Sequence, residues 1–384
     1  MGASLAQSYE VIIVGAGPAG ATLAYELAGK GIGVLVLEKE TLPRYKCCAG
    51  GLSARAAKLL NTDISEVIED EIVGATITFV GERPHHTHYD QTIMYTVMRD
   101  KFDYMLMKRA EKAGAAILQG YEVKGIKLDD EAVQLSTHGG DFCAKFAVGA
   151  DGARSIVARA VDGKRRSNYL VAIETEVTVP EKELARWKSQ VGMELGRVPG
   201  YGWVFPKADH LSIGIACLSS KAKTLKRYYW EFLNSLNLSD YTISRWRGGF
   251  LPRCTGKAIV SRGRAAILGD AAGLADSLCG EGVYNAILSA QLAAPVIEKS
   301  LVQNTGELQE YQKAVEKEIF PEMKVAYFLS KGFVRIPSLV FEMLSKNERL
   351  WRGCCRMLLG ETNYTRIGQK LNAVGGIYNF LSGT

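Results

Sequence analysis

A glycine-rich turn between an apolar strand and a helix constrains this chain most. The stretch VIIVGAGPAG occupies Val11–Gly20, and a helix-forming run over Ala21–Ala28 follows the glycines. In such a turn the first glycine makes the tight bend, the second lets the backbone approach a pyrophosphate, and the third allows the helix to pack on the strand. The pattern predicts a dinucleotide site at the helix N-terminus, formed by Gly15, Ala16, Gly17, Pro18, Ala19 and Gly20.

Acidic residues follow two further apolar strands. Glu38 ends the strand Gly33–Leu37, about 20 residues after the glycines, where a carboxylate can accept hydrogen bonds from ribose hydroxyls. We assign Glu38 and its neighbour Lys39 to the cofactor site. In GADGARS, a short strand ends at Asp151, followed by a glycine, where a chain can turn sharply beneath a nucleotide.

A third motif, LGDAAGLADSLCGEG at Leu268–Gly282, completes the set. Asp270 follows a short apolar strand and can bond a ribityl hydroxyl. Gly280 and Gly282 then precede a helix that begins at Val283. The positive end of that helix would stabilise negative charge on a reduced flavin and raise its potential. Together the three motifs predict that the chain folds around FAD.

The motifs lie near the start, in the middle and in the last third of the 384 residues, so the FAD domain is expected to be discontinuous. Strand-like alternation within the intervening segments indicates an inserted sheet. We predict an α/β fold (α+β overall) of three parts. These are a Rossmann-type FAD-binding domain from 1–70, 96–165 and 251–320, an antiparallel β-sheet substrate domain from 71–95 and 166–250, and a C-terminal helical region over 321–384.

The net charge of +6 is concentrated near the C-terminus, where residues 331–370 contain eight basic and three acidic side chains. Apolar residues are interleaved with them, as in helices with one apolar and one basic face. Two interpretations stay open. The helices pack on the protein with solvated bases, or they form a peripheral surface that rests on an anionic membrane or admits a lipid tail.

Other classes of protein find little support in the sequence. No secretory signal precedes the first strand, and no apolar run reaches the roughly 18–20 residues needed to span a bilayer. The eight cysteines include no CxxC pair, so we expect no metal site. No nucleic-acid-binding module is recognisable. We expect a cytoplasmic protein, with membrane association as the alternative.

The three motifs resemble those of the flavoprotein superfamily typified by para-hydroxybenzoate hydroxylase. Within it, the chain is similar to the geranylgeranyl reductase family. Two stretches narrow the resemblance: PRYKCCAGGLS at Pro43–Ser53, like that family's cysteine- and glycine-rich loop, and GYGWVFPK at Gly200–Lys207, like its Tyr-x-Trp-x-Phe-Pro motif. The resemblance covers roughly residues 8–330. It departs at Cys48, which alanine follows where the family usually has glycine.

The resemblance implies reduction of isolated carbon–carbon double bonds in a polyprenyl chain by hydride transfer from reduced FAD. Such a site should be apolar, shielded from water and lined by aromatic faces. Tyr201, Trp203 and Phe205 alternate along one strand and so share a face, which suits substrate binding. The resemblance further implies catalytic roles for Cys48, Tyr201 and Trp203, and cofactor contacts by Cys47, Cys48, Gly50, Arg99 and Val123.

Several alternatives remain open from the sequence. The proton donor could be Cys47, Cys48, Tyr201 or a water, and Cys48 could equally be a packed small residue. The electron donor could be NADPH, ferredoxin or a deazaflavin, and a redox partner protein is possible; NADPH can bind in this superfamily without a second dinucleotide motif. The same scaffold also hosts flavin monooxygenases and halogenases acting on aromatic substrates, and electron-transfer flavoproteins that reduce quinones.

Overall fold

The structure is a computed structural model that describes residues 8–163 and 168–373. The strands, in chain order, are β1 Ser8–Val14, β2 Val34–Glu38, β3 Gly51–Ser53, β4 Ile68–Ile72, β5 Gly74–Phe79, β6 Glu82–His88, β7 Met94–Val97, β8 Ala116–Gln119, β9 Val123–Leu128, β10 Val133–Thr137, β11 Gly140–Gly149, β12 Tyr169–Thr178, β13 Gln190–Leu195, β14 Gly200–Pro206, β15 Leu211–Leu218, β16 Thr242–Pro252, β17 Ser261–Arg262 and β18 Ala265–Ile267.

The helices surround these strands and close the chain. They are α1 Pro18–Ala28, α2 Ala54–Leu60, α3 Arg99–Lys112, α4 Val157–Asp162, α5 Glu181–Trp187, α6 Leu225–Ser235, α7 Val283–Val302, α8 Gln309–Glu318, α9 Phe320–Arg335, α10 Pro337–Lys346, α11 Glu348–Leu358 and α12 Tyr364–Ala373.

The nucleotide-binding sheet is built around β1. Its strand order is β17-β18-β11-β1-β2-β8, and β1 pairs in parallel with both β2 and β11. Strands buried on both faces need continuous apolar runs, which explains the sequence of Val11–Val14 and of Val34–Leu37. Helix α1 packs between α3 and α7. The predicted Rossmann-type α/β fold is confirmed.

The second sheet has seven strands in the order β16-β12-β15-β14-β13-β5-β6. All its pairs are antiparallel except β13 with β5, which run parallel. The predicted antiparallel sheet is therefore present, but it includes one parallel pair that the sequence did not predict. The reason is that β5 and β13 come from separate chain segments with the FAD-binding strands β8–β11 between them, so no hairpin fixes their direction.

Along the chain, groups of strands from the nucleotide-binding sheet alternate with groups from the seven-stranded sheet. A small third sheet, β3-β7-β4, uses strands that lie between β2 and β8 in the sequence. Helix α6 covers one face of the seven-stranded sheet through a buried cluster that includes Tyr229 and Phe232. A second apolar cluster, which includes Trp203, occupies other positions of the same strands. The seven-stranded sheet therefore buries side chains on both of its faces, and the domain boundaries given above stay predictions.

The C-terminal helices α8–α12 form a layer that reaches both sheets. Helix α10 packs on β5 and β13, and α12 returns to α9. Trp351 of α11 donates its indole N–H to the His88 carbonyl oxygen of β6 at 3.1 Å. The final part of the predicted C-terminal region, 374–384, lies outside the described residues. Within the described ranges, we find no helix with the length and apolar character that crossing a bilayer requires.

Candidate FAD and substrate site

The glycine turn has the backbone geometry that its sequence predicts. Gly15 has φ +102°, and a Cβ there would lie 2.5 Å from the Ala150 carbonyl oxygen. A Cβ at Gly20 would lie 2.0 Å from the Gly15 oxygen, so only glycine lets α1 pack this closely. At Gly17 the nearest atom is a guanidinium nitrogen of Arg44, at 3.9 Å. The backbone at Gly17 is therefore open to the approach of another molecule.

Glu38 lies beside this turn. The residue is 4% exposed, and its carboxylate accepts the Ala16 N–H at 2.7 Å and the Glu40 N–H at 3.1 Å. Lys39, by contrast, points to solvent with 61% of its side chain exposed. The structure thus brings Glu38 to the glycine turn but leaves the predicted contact by Lys39 without support from its position.

Two arginines are fixed near the turn by one buried acid. Arg99 begins α3 and makes two hydrogen bonds to Asp103, at 2.8 and 2.9 Å, while Arg44 bonds the same carboxylate at 2.9 Å. The side chain of Asp103 has no exposed surface. Arg44 also lies 3.7 Å from Glu38. The sequence indicated Arg99 but missed Arg44 and Asp103, although an (i, i+4) pair at the start of α3 was a signal.

Asp151 mainly organises its own loop. Its Oδ2 accepts the Ile156 N–H at 2.7 Å, while Oδ1 is buried and has no partner among the described residues. Burial raises the pKa of this carboxyl. Gly152 follows with φ +76°, which confirms the sharp turn predicted after the strand. Asp151 therefore has one carboxyl oxygen available for a further hydrogen bond.

Asp270 and the start of α7 meet in the third motif. A Cβ at Gly282 would lie 3.2 Å from Asp270 Oδ1, so glycine lets the carboxylate approach the residue before Val283. Burial raises the pKa of Asp270, and no described residue donates a hydrogen bond to its carboxylate. A Cβ at Gly280 would lie 2.1 Å from the Tyr201 hydroxyl oxygen, which links this motif to β14.

The segment 46–51, which we call the cysteine loop, packs against the seven-stranded sheet. Its Cys47 Sγ lies 3.3 Å from where a Cβ at Gly249 of β16 would be. The Cys48 N–H donates to Glu174 of β12 at 3.1 Å, and the Gly50 N–H lies 3.4 Å from Cys48 Sγ. Burial raises the pKa of the Cys47 thiol to about 12, so this thiol is protonated at neutral pH.

A buried lysine holds the same loop. Lys207 is 3% exposed and donates to the carbonyl oxygens of Ala49 at 2.7 Å and Val97 at 3.0 Å. Gly50 has φ +73°, and a Cβ there would lie 2.0 Å from the Val97 oxygen. The loop backbone therefore depends on glycine at position 50 and on the ammonium group of Lys207.

Tyr201, Trp203 and Phe205 share one side of β14, where Leu170, Ala172 and Ala216 join them; we call these six side chains the aromatic face. The rings of Tyr201 and Trp203 are 6.1 Å apart, and Trp203 lies so close to Gly214 that a Cβ there would be 2.1 Å from its ring. Phe205 contacts Gly51, the last residue of the cysteine loop. The predicted common orientation of the three aromatic residues is confirmed, and Ala49 packs against them.

Val123 lies at the rim of the nucleotide-binding sheet. It is the first residue of β9 and is 7% exposed. Two residues earlier, the Tyr121 N–H donates to the Glu38 carbonyl oxygen at 2.9 Å. Val123 is therefore near the backbone of Glu38, and its predicted cofactor contact stays a prediction.

These features fit FAD. The backbone at Gly17 is open, and the carboxylate of Glu38 stands at the ribose position of a dinucleotide fold. Asp270 carries a carboxylate free of protein hydrogen bonds across the described residues, beside the N-terminus of α7. Among the described residues, no group of histidine, cysteine and carboxylate side chains could hold a metal ion.

Sequence comparison agrees with this geometry. The family model for the FAD binding domain matches residues 8–240, more than half of the chain. A protein of Methanosarcina barkeri (strain Fusaro / DSM 804) is 30% identical over 339 residues, which cover 88% of this chain and 87% of that protein.

Two relatives have named activities. The chloroplastic geranylgeranyl diphosphate reductase of Arabidopsis thaliana is 25% identical over 352 residues, covering 85% of this chain and 74% of its own. The digeranylgeranylglycerophospholipid reductase of Methanosarcina acetivorans is 26% identical over 339 residues, covering 80% of each chain.

Solved structures show the same fold. A geranylgeranyl bacteriochlorophyll reductase-like protein from Thermoplasma acidophilum superposes with a TM-score of 0.80 at 24% identity, covering 88% of this chain and 91% of the other. A flavin-dependent brominase superposes with a TM-score of 0.73 at 18% identity, covering 92% and 94%. The family model and the named relatives together place this chain among the FAD-dependent oxidoreductases of the geranylgeranyl reductase family.

Proposed function

We propose that the protein reduces isolated carbon–carbon double bonds in a geranylgeranyl chain carried by a lipid, a chlorophyll precursor or a quinone. The aromatic face is the observation that carries this proposal. It is an apolar surface next to the cysteine loop and the third FAD motif, and Tyr201 donates a hydrogen bond to the Cys279 carbonyl oxygen at 3.2 Å. Relatives named as reductases of geranylgeranyl compounds support it.

The chemistry explains why such a surface is needed. Bound FAD, once reduced, supplies the hydride. The protein must supply a proton and an environment for positive charge that develops on a substituted alkene carbon. Aromatic rings stabilise a cation over their faces, most strongly where water is excluded. Trp203, which is 7% exposed, and Tyr201 present such faces side by side.

The remaining residues bind and orient. Gly17 and the N-terminus of α1 would receive the pyrophosphate, and Glu38 the adenosine ribose. Asp270 would bond the ribityl chain, and the N-terminus of α7 would face the flavin. Arg99, held by Asp103, adds positive charge close to the cysteine loop, since Cys48 is among the groups that raise the pKa of this arginine.

A polyprenyl lipid would reach the site from a membrane, and α10 offers a surface for it. Leu339 and Met343 are spaced as neighbours on that helix and are 51% and 48% exposed, with Ile336 just before them. Arg335 and Lys346 flank them with positive charge. An exposed apolar stripe between bases suits the interface of an anionic bilayer. Flotation with anionic vesicles should recover the wild-type protein and lose the Leu339→Glu/Met343→Glu variant.

The proposed activity is tested by reducing the FAD-loaded protein with dithionite without oxygen and adding geranylgeranyl diphosphate. Reoxidation of the flavin with a gain of two hydrogen atoms per double bond, seen by mass spectrometry, supports a prenyl reductase. A flavin that stays reduced until air is admitted, and then oxygenates or halogenates an aromatic compound, overturns the proposal. Replacing dithionite by NADPH, reduced ferredoxin or a reduced deazaflavin in the same assay identifies the electron donor.

A further inference from the structure

Two buried glutamates lie beneath the cysteine loop on the same strand. Glu174 and Glu176 of β12 are 1% and 6% exposed. Leu170, Ala172, Glu174 and Glu176 follow one another at every second position, so all four side chains are on the side of β12 that carries the aromatic face. Glu174 is two residues from Ala172, about 7 Å along the strand. A carboxyl group therefore stands at the edge of the surface proposed to bind the prenyl chain.

Tyr45 connects the two carboxyl groups. Its hydroxyl oxygen lies 2.8 Å from Glu174 Oε1 and 3.0 Å from Glu176 Oε1. A tyrosine hydroxyl carries one proton, so it can donate to only one of them. The second contact is favourable when the other carboxyl group is protonated and donates to the tyrosine oxygen. The geometry therefore accommodates one proton shared by Glu174, Tyr45 and Glu176 in addition to the tyrosine's own.

The series of hydrogen bonds that begins at Glu174 and Tyr45 continues from Glu176 to the protein surface. His210 Nε2 bonds Glu176 Oε2, and His210 Nδ1 lies 2.6 Å from Asp209 Oδ1. The Asp209 side chain is 85% exposed, so the far end of this line is in water. At the near end, Glu174 Oε1 accepts the Cys48 N–H, and no described residue donates a hydrogen bond to its Oε2.

We propose that Glu174 is the acid that gives the proton to the double bond, and that Tyr45, Glu176 and His210 return a proton to it from solvent. This inference rests on the proposed function. In the step, the π bond of the alkene breaks, one carbon takes the hydride from reduced FAD and the other takes the proton. The O–H bond of Glu174 breaks and leaves a carboxylate. A proton then enters from water through His210, Glu176 and Tyr45.

The charges around Glu174 are consistent with this role. Burial raises the pKa of Glu174 to about 7, and Glu176 adds to the rise, while hydrogen bonds from Tyr45 and Cys48 and the charge of Lys207 oppose it. The charged and titratable groups that face the pair from the packed elements are Tyr45, Lys46, Cys47 and Cys48 of the loop segment, Lys207 and His210 between β14 and β15, and Arg245 and Arg247 of β16.

The pKa of Glu176 is shifted in the opposite direction. Burial by itself would raise the pKa of Glu176, but the hydrogen bond and charge of His210 lower it below the ordinary value. The same contacts with Glu176 and Asp209 raise the pKa of His210 against the effect of burial. Opposite shifts of two neighbouring carboxyl groups favour a proton on Glu174 and an ionised Glu176 at rest.

The first test does not need a substrate. Infrared difference spectra of the FAD-loaded protein across a pH titration should show a carboxylic acid band that disappears near pH 7. Glu174→Gln should abolish this band. Glu194→Gln is the matched control, because Glu194 is 1% exposed in the same sheet but lies on the side covered by α6. No titrating band in the wild type, or its persistence in Glu174→Gln, would overturn the inference.

The second test follows reoxidation of dithionite-reduced enzyme by geranylgeranyl diphosphate. Glutamine keeps an acceptor for the Cys48 N–H but cannot release a proton, so Glu174→Gln should slow this step about 100-fold and remove the loss of rate at high pH. Substrate affinity and the rate of reduction by dithionite should not change. Tyr45→Phe should allow a first turnover at the wild-type rate and slow later ones, and Glu194→Gln should behave as wild type.

The outcomes separate the two proposals. If the wild-type enzyme is not reoxidised by the prenyl diphosphate, the proposed function fails. If the wild-type enzyme is reoxidised and Glu174→Gln has the same rate and pH profile, only the role of Glu174 fails. If Tyr45→Phe sustains all turnovers at the wild-type rate, the return line through Tyr45 is wrong.

Discussion

Replacing Glu174 by glutamine should change how the stability of the protein depends on pH. The folded protein raises the pKa of Glu174 from 4.5 to about 7, chiefly by burial. Between these values the folded state binds a proton that the unfolded state has released. The free energy of unfolding therefore falls as the pH rises through this interval, at up to about 1.36 kcal/mol per pH unit. The total loss for the wild type amounts to about 3 kcal/mol.

Glutamine carries no titratable proton, so the free energy of unfolding of the variant should not show this decline. Unfolding entropy is about 2.1 cal/mol/K per residue, which for 384 residues makes 3 kcal/mol equivalent to about 4 °C in Tm. The difference in Tm, variant minus wild type, should therefore grow by about 4 °C from below pH 4.5 to above pH 7. Thermal melts of the two proteins in matched buffers measure it.

The control and the refutation follow from the same structure. Glu194→Gln removes another buried glutamate of the seven-stranded sheet but leaves Glu174 in place, so its Tm should keep the wild-type slope against pH. Parallel curves for wild type and Glu174→Gln would show that Glu174 ionises in the folded state as easily as in water. Burial would then not be holding a proton on this carboxyl group, and the reasoning would be refuted.

Three other substitutions test the site. Gly15→Ala should abolish FAD binding and lower the free energy of unfolding by about 1–3 kcal/mol, because φ is +102° and Ala150 leaves no room for a methyl group; flavin absorbance after gel filtration and urea unfolding measure this. Glu38→Gln should weaken FAD binding by about 10–100-fold, as expected for a lost hydrogen bond to a charged group; unchanged affinity in titrations of apoprotein would remove Glu38 from the cofactor site. Gly214→Ala should displace Trp203 and cost about 1–3 kcal/mol; unaltered tryptophan fluorescence and stability would mean that the ring does not rest on Gly214.

The parts of the site that the sequence predicts are those made by local pattern. The strand, glycine turn and helix around Gly15–Gly20 are contiguous, and each glycine has a steric reason that its spacing reveals. The same holds for the helix that begins at Val283 and for the alternation of Tyr201, Trp203 and Phe205. In each case a short segment determines both the element and the direction of its side chains.

The parts that the sequence does not predict depend on contacts between distant segments. Arg44 and Asp103 are 59 residues apart, and the sequence around either residue does not indicate that the two are in contact. The parallel pairing of β13 with β5 likewise joins residues such as Gln190 and Gly74 across a large part of the chain. Register and loop position decide these contacts, and a single sequence contains no local signal for either.

The glutamates of β12 are a further example of residues whose surroundings depend on a distant segment and are not predicted by the sequence. In the second half of β12, Glu174 and Glu176 are flanked by Ile173, Thr175 and Val177, an alternation that on a half-exposed sheet indicates a side in water. That interpretation fails because α6 covers one face, while the cysteine loop, 126 residues away from Glu174, covers the other. On this covered face, the apolar side chain at position 172 is followed by a carboxyl group at position 174. This switch from alanine to glutamate is where the apolar surface ends beside the group proposed to supply the proton. Once a distant loop is known to cover it, this switch is the feature of the strand that supports Glu174 as the proposed proton donor.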